Sequence, residues 1–174
     1  MDNNVQNVTA VNNNFDFSFL KNESSNKNMI YSPMSIKYTL NMLKEGAVGS
    51  TYNEINNVIG NSKLSNCSSI DEYLSLANGL FIRNPYYNYI KLEYKIILKE
   101  KYGAEVIQDD FKSIQNVNRW IEDNTFGIIK NMLSDDIVND PNLLMLILNS
   151  LAINMKWDSQ FYFRNTKGCI FFFG

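Results

Sequence analysis

From Leu143 to Trp157 the chain reads LLMLILNSLAINMKW. Six apolar residues run without a break from Leu143 to Leu148, then Asn149 and Ser150 interrupt, then Leu151, Ala152 and Ile153 resume before Asn154. A membrane span needs about 20 apolar residues, so this run is too short to be one. Periodicity alone does not separate a buried helix from a strand buried on both faces, but the run contains no capping residue and no helical polar stripe. We read it as a strand. At about 3.3 Å per residue it would far exceed the usual strand, which places it in the middle of a large sheet covered on both faces. Polar side chains inside such a strand need partners, because an unpaired buried amide costs roughly 1 to 3 kcal/mol. Asn149 is therefore the first residue whose partner has to be found.

The rest of the chain limits what can surround this strand. Its 174 residues, 45% hydrophobic and 13% aromatic, suit one globular domain with a substantial core. A net charge of -2 gives no reason to expect nucleic acid or a membrane as partner. There is no histidine. Ser-His-Asp and Cys-His catalysis are thereby excluded, and the commonest neutral metal ligand is missing. Cys67 and Cys169 are far apart and form no CxxC motif. Asp135, Asp136 and Asp140 in DDIVND read as a solvated turn before Pro141, since a calcium loop would need a glycine and a terminal glutamate that are missing. No Gly-rich phosphate loop occurs. Neither a catalytic residue, a metal site nor a cofactor is expected, and the chain is not read as an enzyme.

Taken in order, MDNNVQNVTAVNNN lacks the basic and apolar regions of a secretory signal. That predicts a cytoplasmic chain unless it leaves by an unconventional route. Val8, Val11, Phe15 and Phe19 recur at helical spacing, so a helix is expected over Val8 to Leu20, and KNESSNK then reads as a loop. Met29 to Tyr31 look like a short strand. Ser32 and Pro33 form an N-cap and N1 pair opening a helix with an Ile36, Leu40 and Leu43 stripe, closed by Gly46. Thr51 and Glu54 suggest a capping box for a second helix ending at Gly60. After a polar loop over Ser62 to Ser69, a helical turn is expected at Asp71 to Leu76. A core strand follows from Leu76 to Arg83, with Gly79 marking close approach by another backbone, and Asn84-Pro85 breaks it. Leu92 to Tyr102 reads as a helix ending at Gly103, and Ala104 to Gln108 as a strand. Val117, Trp120, Ile121, Ile128 and Ile129 share a face of a helix drawn from Ser113 to Ile129. After Trp157 the order is lost, and the chain ends on Phe171 to Phe173 and Gly174.

Set side by side, these segments resemble the N-terminal half of the serpin family, and the resemblance covers nearly the whole chain in order. VNNNFDFSFLK is similar to the first serpin helix, and NMIYSPMSIKYTLNMLKEGAVGSTYNEI to the strand, buried helix and following helix. LANGLFI looks like a strand of the large central sheet. YGAEVIQDDF and VNRWIEDNTFGII resemble the edge strand and the helix lying across that sheet. LNSLAINMKWDSQF and FRNTK resemble the long strand beside which the reactive loop inserts, and the turn after it.

The resemblance implies an α+β, partial serpin fold with residues 1–174 as the N-terminal portion of one domain. It implies that Ser32, Ser35 and Asn149 form the polar cluster that controls opening of the central sheet, and that Trp157 stands at its top, where loop insertion begins. A histidine that usually completes the cluster has no counterpart here. Serpins are about twice this length, with the reactive-centre loop near the C-terminus, so the chain is expected to stop before it. A full-length form is expected to trap a serine or cysteine protease as a suicide inhibitor, with this chain alone non-inhibitory. The alternative is an interaction fragment that self-associates by strand pairing through its open sheet edge.

Overall fold

The computed structural model describes residues 15–16, 31–60, 69–159 and 164. Expectations for the N-terminal tract, the KNESSNK loop, the Ser62 to Ser68 loop, both cysteines and the Phe171 to Phe173 ending lie outside those residues. Of the segment expected as a first helix, only Phe15 and Asp16 are described, and they are helical. Among the described residues no helix is long and apolar enough to cross a membrane.

Among the described residues three strands form one sheet in the order β2, β1, β3, with β1 Leu74–Arg83, β2 Glu105–Asp109 and β3 Met145–Ile153. β2 runs parallel to β1, and β3 runs antiparallel to it. β1 is the central strand, so its Gly79 to Ile82 segment is buried on both sides. The strand expected from Leu143 to Trp157 is shorter at both ends, and among the described residues it is an edge strand. The expected helical turn before β1 is a non-helical turn, and pairing begins at Leu74 because β3 reaches it through Ile153.

Helix α1, Pro33–Glu45, packs on one face of the sheet. Ser32 caps it as expected, its Oγ accepting from Ser35 N at 3.2 Å, and Gly46 closes it, with Gly46 N donating to Leu43 O and Ala47 N to Lys44 O. The buried face is not the Ile36, Leu40, Leu43 stripe. Tyr38 and Met42 face the core, while Leu43 is 42% exposed. Two polar residues are buried beside them because each has a partner: Lys37 Nζ lies 2.6 Å from Asp16 Oδ1, and Asn41 Nδ2 donates to Lys37 O. Helix α2, Gly49–Ile59, starts before the expected capping box and has no side-chain cap. The left-handed Gly49 lets the chain turn into the helix two residues ahead of Thr51. A 3-10 turn, Asn84–Tyr89, follows the break at Pro85, and α3, Leu92–Tyr102, ends as expected at Gly103, in the left-handed conformation.

The opposite face carries α4, Gln115–Asp123, whose Val117, Trp120 and Ile121 pack with Phe81 and Phe111. The expected helix to Ile129 stops six residues early. Phe126 and Gly127 both adopt positive φ, and the Thr125 hydroxyl donates to Ile121 O and accepts from Ile129 N. That turn leaves Ile128 exposed. The short α5, Asp136–Asn139, replaces part of the expected acidic turn. Asp135 Oδ1 accepts from Ile114 N, pinning the two segments together, and Asp140 Oδ1 accepts from Asn142 N beside Pro141.

Candidate functional site

The centre of the sheet is polar where β1 meets β3. Backbone bonds from Arg83 N to Leu144 O and from Asn154 N to Tyr73 O fix the alternation of the antiparallel ladder. By that alternation Gly79 and Leu148 exchange main-chain bonds, whereas Asn78 and Asn149 face each other as a non-bonded pair, the position where side chains come closest. The two amides use that proximity. Asn149 Nδ2 donates to Asn78 Oδ1 at 2.8 Å, and Asn78 Nδ2 donates to Tyr102 O, the last carbonyl of α3, also at 2.8 Å. A relay of two amides therefore ties the edge strand to the central strand and to a helix end.

Asn149 shares its face of β3 with Ile147, which packs on the core formed by Tyr38, Met42 and Leu80. That is the face covered by α1, the helix that carries Ser35. Among the described residues no hydrogen bond joins Asn149 to the serines of the expected cluster. Ser32 Oγ is engaged in capping, and both Ser35 Oγ and Asn149 Oδ1 are buried without hydrogen-bond partners among the described residues. Ser150 Oγ, on the α4 side, is likewise unpartnered. Trp157 lies four positions beyond the end of β3 and is 74% exposed, outside any strand. Sequence reasoning missed Asn78 and the Tyr102 carbonyl. Asn78 carried the same signal as Asn149, an amide inside an apolar strand.

A second polar group stands at the far end of α1. Glu45 accepts from Tyr102 Oη at 2.7 Å and from Lys101 Nζ. Partial burial pushes the Glu45 carboxyl up, but the Lys101 and Tyr102 hydrogen bonds outweigh it and hold the group below the usual carboxylate range. Burial, and then the bond to Glu45, raise the Tyr102 phenol far above its ordinary value. Burial also raises Tyr94, whose Oη donates to Met42 O. Among the described residues no group of three or more acidic or cysteine side chains is placed to hold a metal ion.

The third feature is the outer side of β3. Non-bonded pairing toward β1 turns the main-chain N–H and C=O groups of Met145, Ile147, Asn149, Leu151 and Ile153 away from the sheet, along an edge with no described strand beside it.

A protein-family model described as Serpin (serine protease inhibitor) matches residues 10–174. Neuroserpin of Mus musculus is 29% identical over 170 residues, covering 87% of this chain and 41% of that protein. Ovalbumin of Coturnix japonica is 30% identical over 183 residues, covering 87% and 47%. The solved structure of ovalbumin from the emu, Dromaius novaehollandiae, superposes with a TM-score of 0.76 at 23% identity, covering 96% of this chain and 51% of that one, a likeness of fold. The chain spans about half the length of the relatives it matches.

Proposed function

Because the chain belongs to the serpin family, we propose that it forms the receiving part of a protease inhibitor's central sheet. A full-length form carrying this half inhibits a serine or cysteine protease. The protease cleaves a reactive loop, is held as an acyl-enzyme, and is distorted as the loop enters the sheet beside β3, with strain released on cleavage as the driving force. Ser32, Ser35 and Asn149 govern the opening of the sheet, and Trp157 marks where insertion begins. These 174 residues alone are non-inhibitory, since the reactive loop of the family lies near its C-terminus.

The observation that carries this reading is the outer edge of β3. It presents alternate main-chain groups, carries no charged side chain from Leu143 to Met155, and has no described neighbour. The same edge favours a second reading, an interaction fragment that accepts a strand from another chain. Incubation of the purified chain with trypsin, subtilisin and papain tests the first. Degradation without a detergent-stable complex is expected, and a covalent complex with any of the three refutes the claim that the chain alone is non-inhibitory. A form extended by a C-terminal half should give that complex, and failure to do so counts against the inhibitory reading.

A further inference from the structure

Asn78–Gly79 is the one Asn-Gly step in the chain, and it sits in the middle of the central strand. Each half of the step has its own structural reason. Asn78 bridges Asn149 to Tyr102 O, and Gly79 is required because an added Cβ would stand 3.0 Å from Trp120 Cζ2. The pairing that results is chemically labile, because glycine puts no side chain in the way when its own nitrogen turns back on the asparagine carbonyl. We propose that Asn78–Gly79 is a self-modification site, silent while β1 and β3 are paired and reactive once they separate, whose product cannot return to the closed sheet.

In the reaction the Gly79 nitrogen bonds to Asn78 Cγ, Nδ2 leaves as ammonia with the proton given up by Gly79 N–H, and a five-membered imide forms. Water then opens the imide at either carbonyl, giving aspartate or isoaspartate. The closed sheet blocks the first step twice. Gly79 faces Leu148 in a bonded pair, so its N–H is engaged with β3, and the Asn78 amide is held at both ends. The extended backbone also holds that nitrogen away from Cγ. Unpairing β1 from β3 releases both restraints together.

The products do not fit where the amide was. In aspartate the oxygen replacing Nδ2 faces the Tyr102 carbonyl, acceptor against acceptor, at a position only 4% exposed. Isoaspartate lengthens the main chain, so pairing cannot be kept with Glu105 on one side and Leu148 on the other. The chain therefore keeps a permanent record of having opened.

The test is to hold the folded chain and the urea-unfolded chain in mildly alkaline buffer and map the exchange of NH2 for OH by peptide mass spectrometry. The unfolded chain should react at Asn78 at least about tenfold faster, because the folded one reacts only through local opening. An Arg83→Met chain, loosened where β3 begins, should fall between the two, in step with hydrogen exchange at the Gly79 amide. Equal rates in the folded and unfolded chains would overturn the proposal. So would faster exchange at Gly79 in Arg83→Met without faster loss of the amide. Asn78→Asp should melt below Asn78→Ala, and an Asn78→Asp chain melting at or above Asn78→Ala would show that the closed sheet tolerates the product, ending the claim of irreversibility.

Discussion

The indole of Trp120 occupies the space that a side chain at position 79 would need: Cζ2, Cη2 and Cε2 stand 3.0, 3.2 and 3.3 Å from an ideal Cβ on Gly79. The same ring stacks edge-on to Phe81 and donates through Nε1 to Glu105 Oε1 at 2.9 Å, contacts that would have to give for it to move aside. Gly79→Ala is therefore expected to destabilise the fold by about 1 to 3 kcal/mol, the usual cost of an overpacked core. Urea denaturation of Gly79→Ala, Trp120→Phe and the double variant checks it. The two substitutions should be strongly non-additive, because the smaller ring makes room for the methyl group.

Arg83 anchors the approach to β3. Its Nε donates to Leu143 O at 2.7 Å and its Nη2 lies within hydrogen-bond distance of Val138 O and Asp140 O, while the guanidinium stacks on Phe111. Phe111 itself adopts positive φ, held by its N–H on Asp109 Oδ1. Hydrogen bonds from a charged donor contribute about 1.5 to 3 kcal/mol each. Arg83→Met should lose at least one such contribution, and Arg83→Lys should recover little, since an ammonium cannot span three carbonyls as a planar fork does. Equilibrium unfolding of the two variants measures this, and a lysine variant as stable as the parent would contradict it.

The Glu45 and Tyr102 pair predicts stability loss at both ends of the pH scale. The carboxyl is depressed in the folded chain, so its contribution is present above its unfolded value, 4.5, and is lost as pH falls through the lower folded value. The phenol is raised, so its contribution is complete below 10.0 and is lost as pH climbs beyond it. Melting temperature against pH should therefore fall on both sides. Tyr102→Phe should flatten the alkaline side in part only, because Tyr94 is raised too.

Local signals and long-range pairing were not equally legible in the sequence. Helix α3 was read to its last residue because Gly103 supplies the left-handed stop that the sequence announces. Helix α4 was drawn too long because Ile128 and Ile129 continue its apolar spacing, whereas the turn depends on the Thr125 hydroxyl and on two successive positive φ values. The demand that Asn149 find a partner was legible, but the identity of that partner was not. It is set by the register of β1 against β3, which brings together residues 71 positions apart. The same distinction applies to Gly79. The sequence implied close approach of a backbone, and the structure supplies a tryptophan ring from the helix packed on that face.

The edge of β3 makes the last prediction the sharpest. Natural proteins blunt exposed edges with charge, proline or bulges, and β3 has no charged residue and no proline. Self-association through this strand is expected at micromolar concentration, visible by light scattering. The ladder alternation says how to prevent it without unfolding the monomer. The N–H of Leu151 points away from β1, so Leu151→Pro removes a group that no described strand uses. The N–H of Leu148 is bonded to β1, so Leu148→Pro should break the sheet itself. Leu151→Pro is thus expected to keep a cooperative melt and scatter as a monomer, while Leu148→Pro loses the melt. If Leu151→Pro folds and still forms the oligomers of the parent chain, association runs through another surface. If the parent chain is monodisperse, the edge of β3 is not open to pairing and the reading of it as a free edge fails.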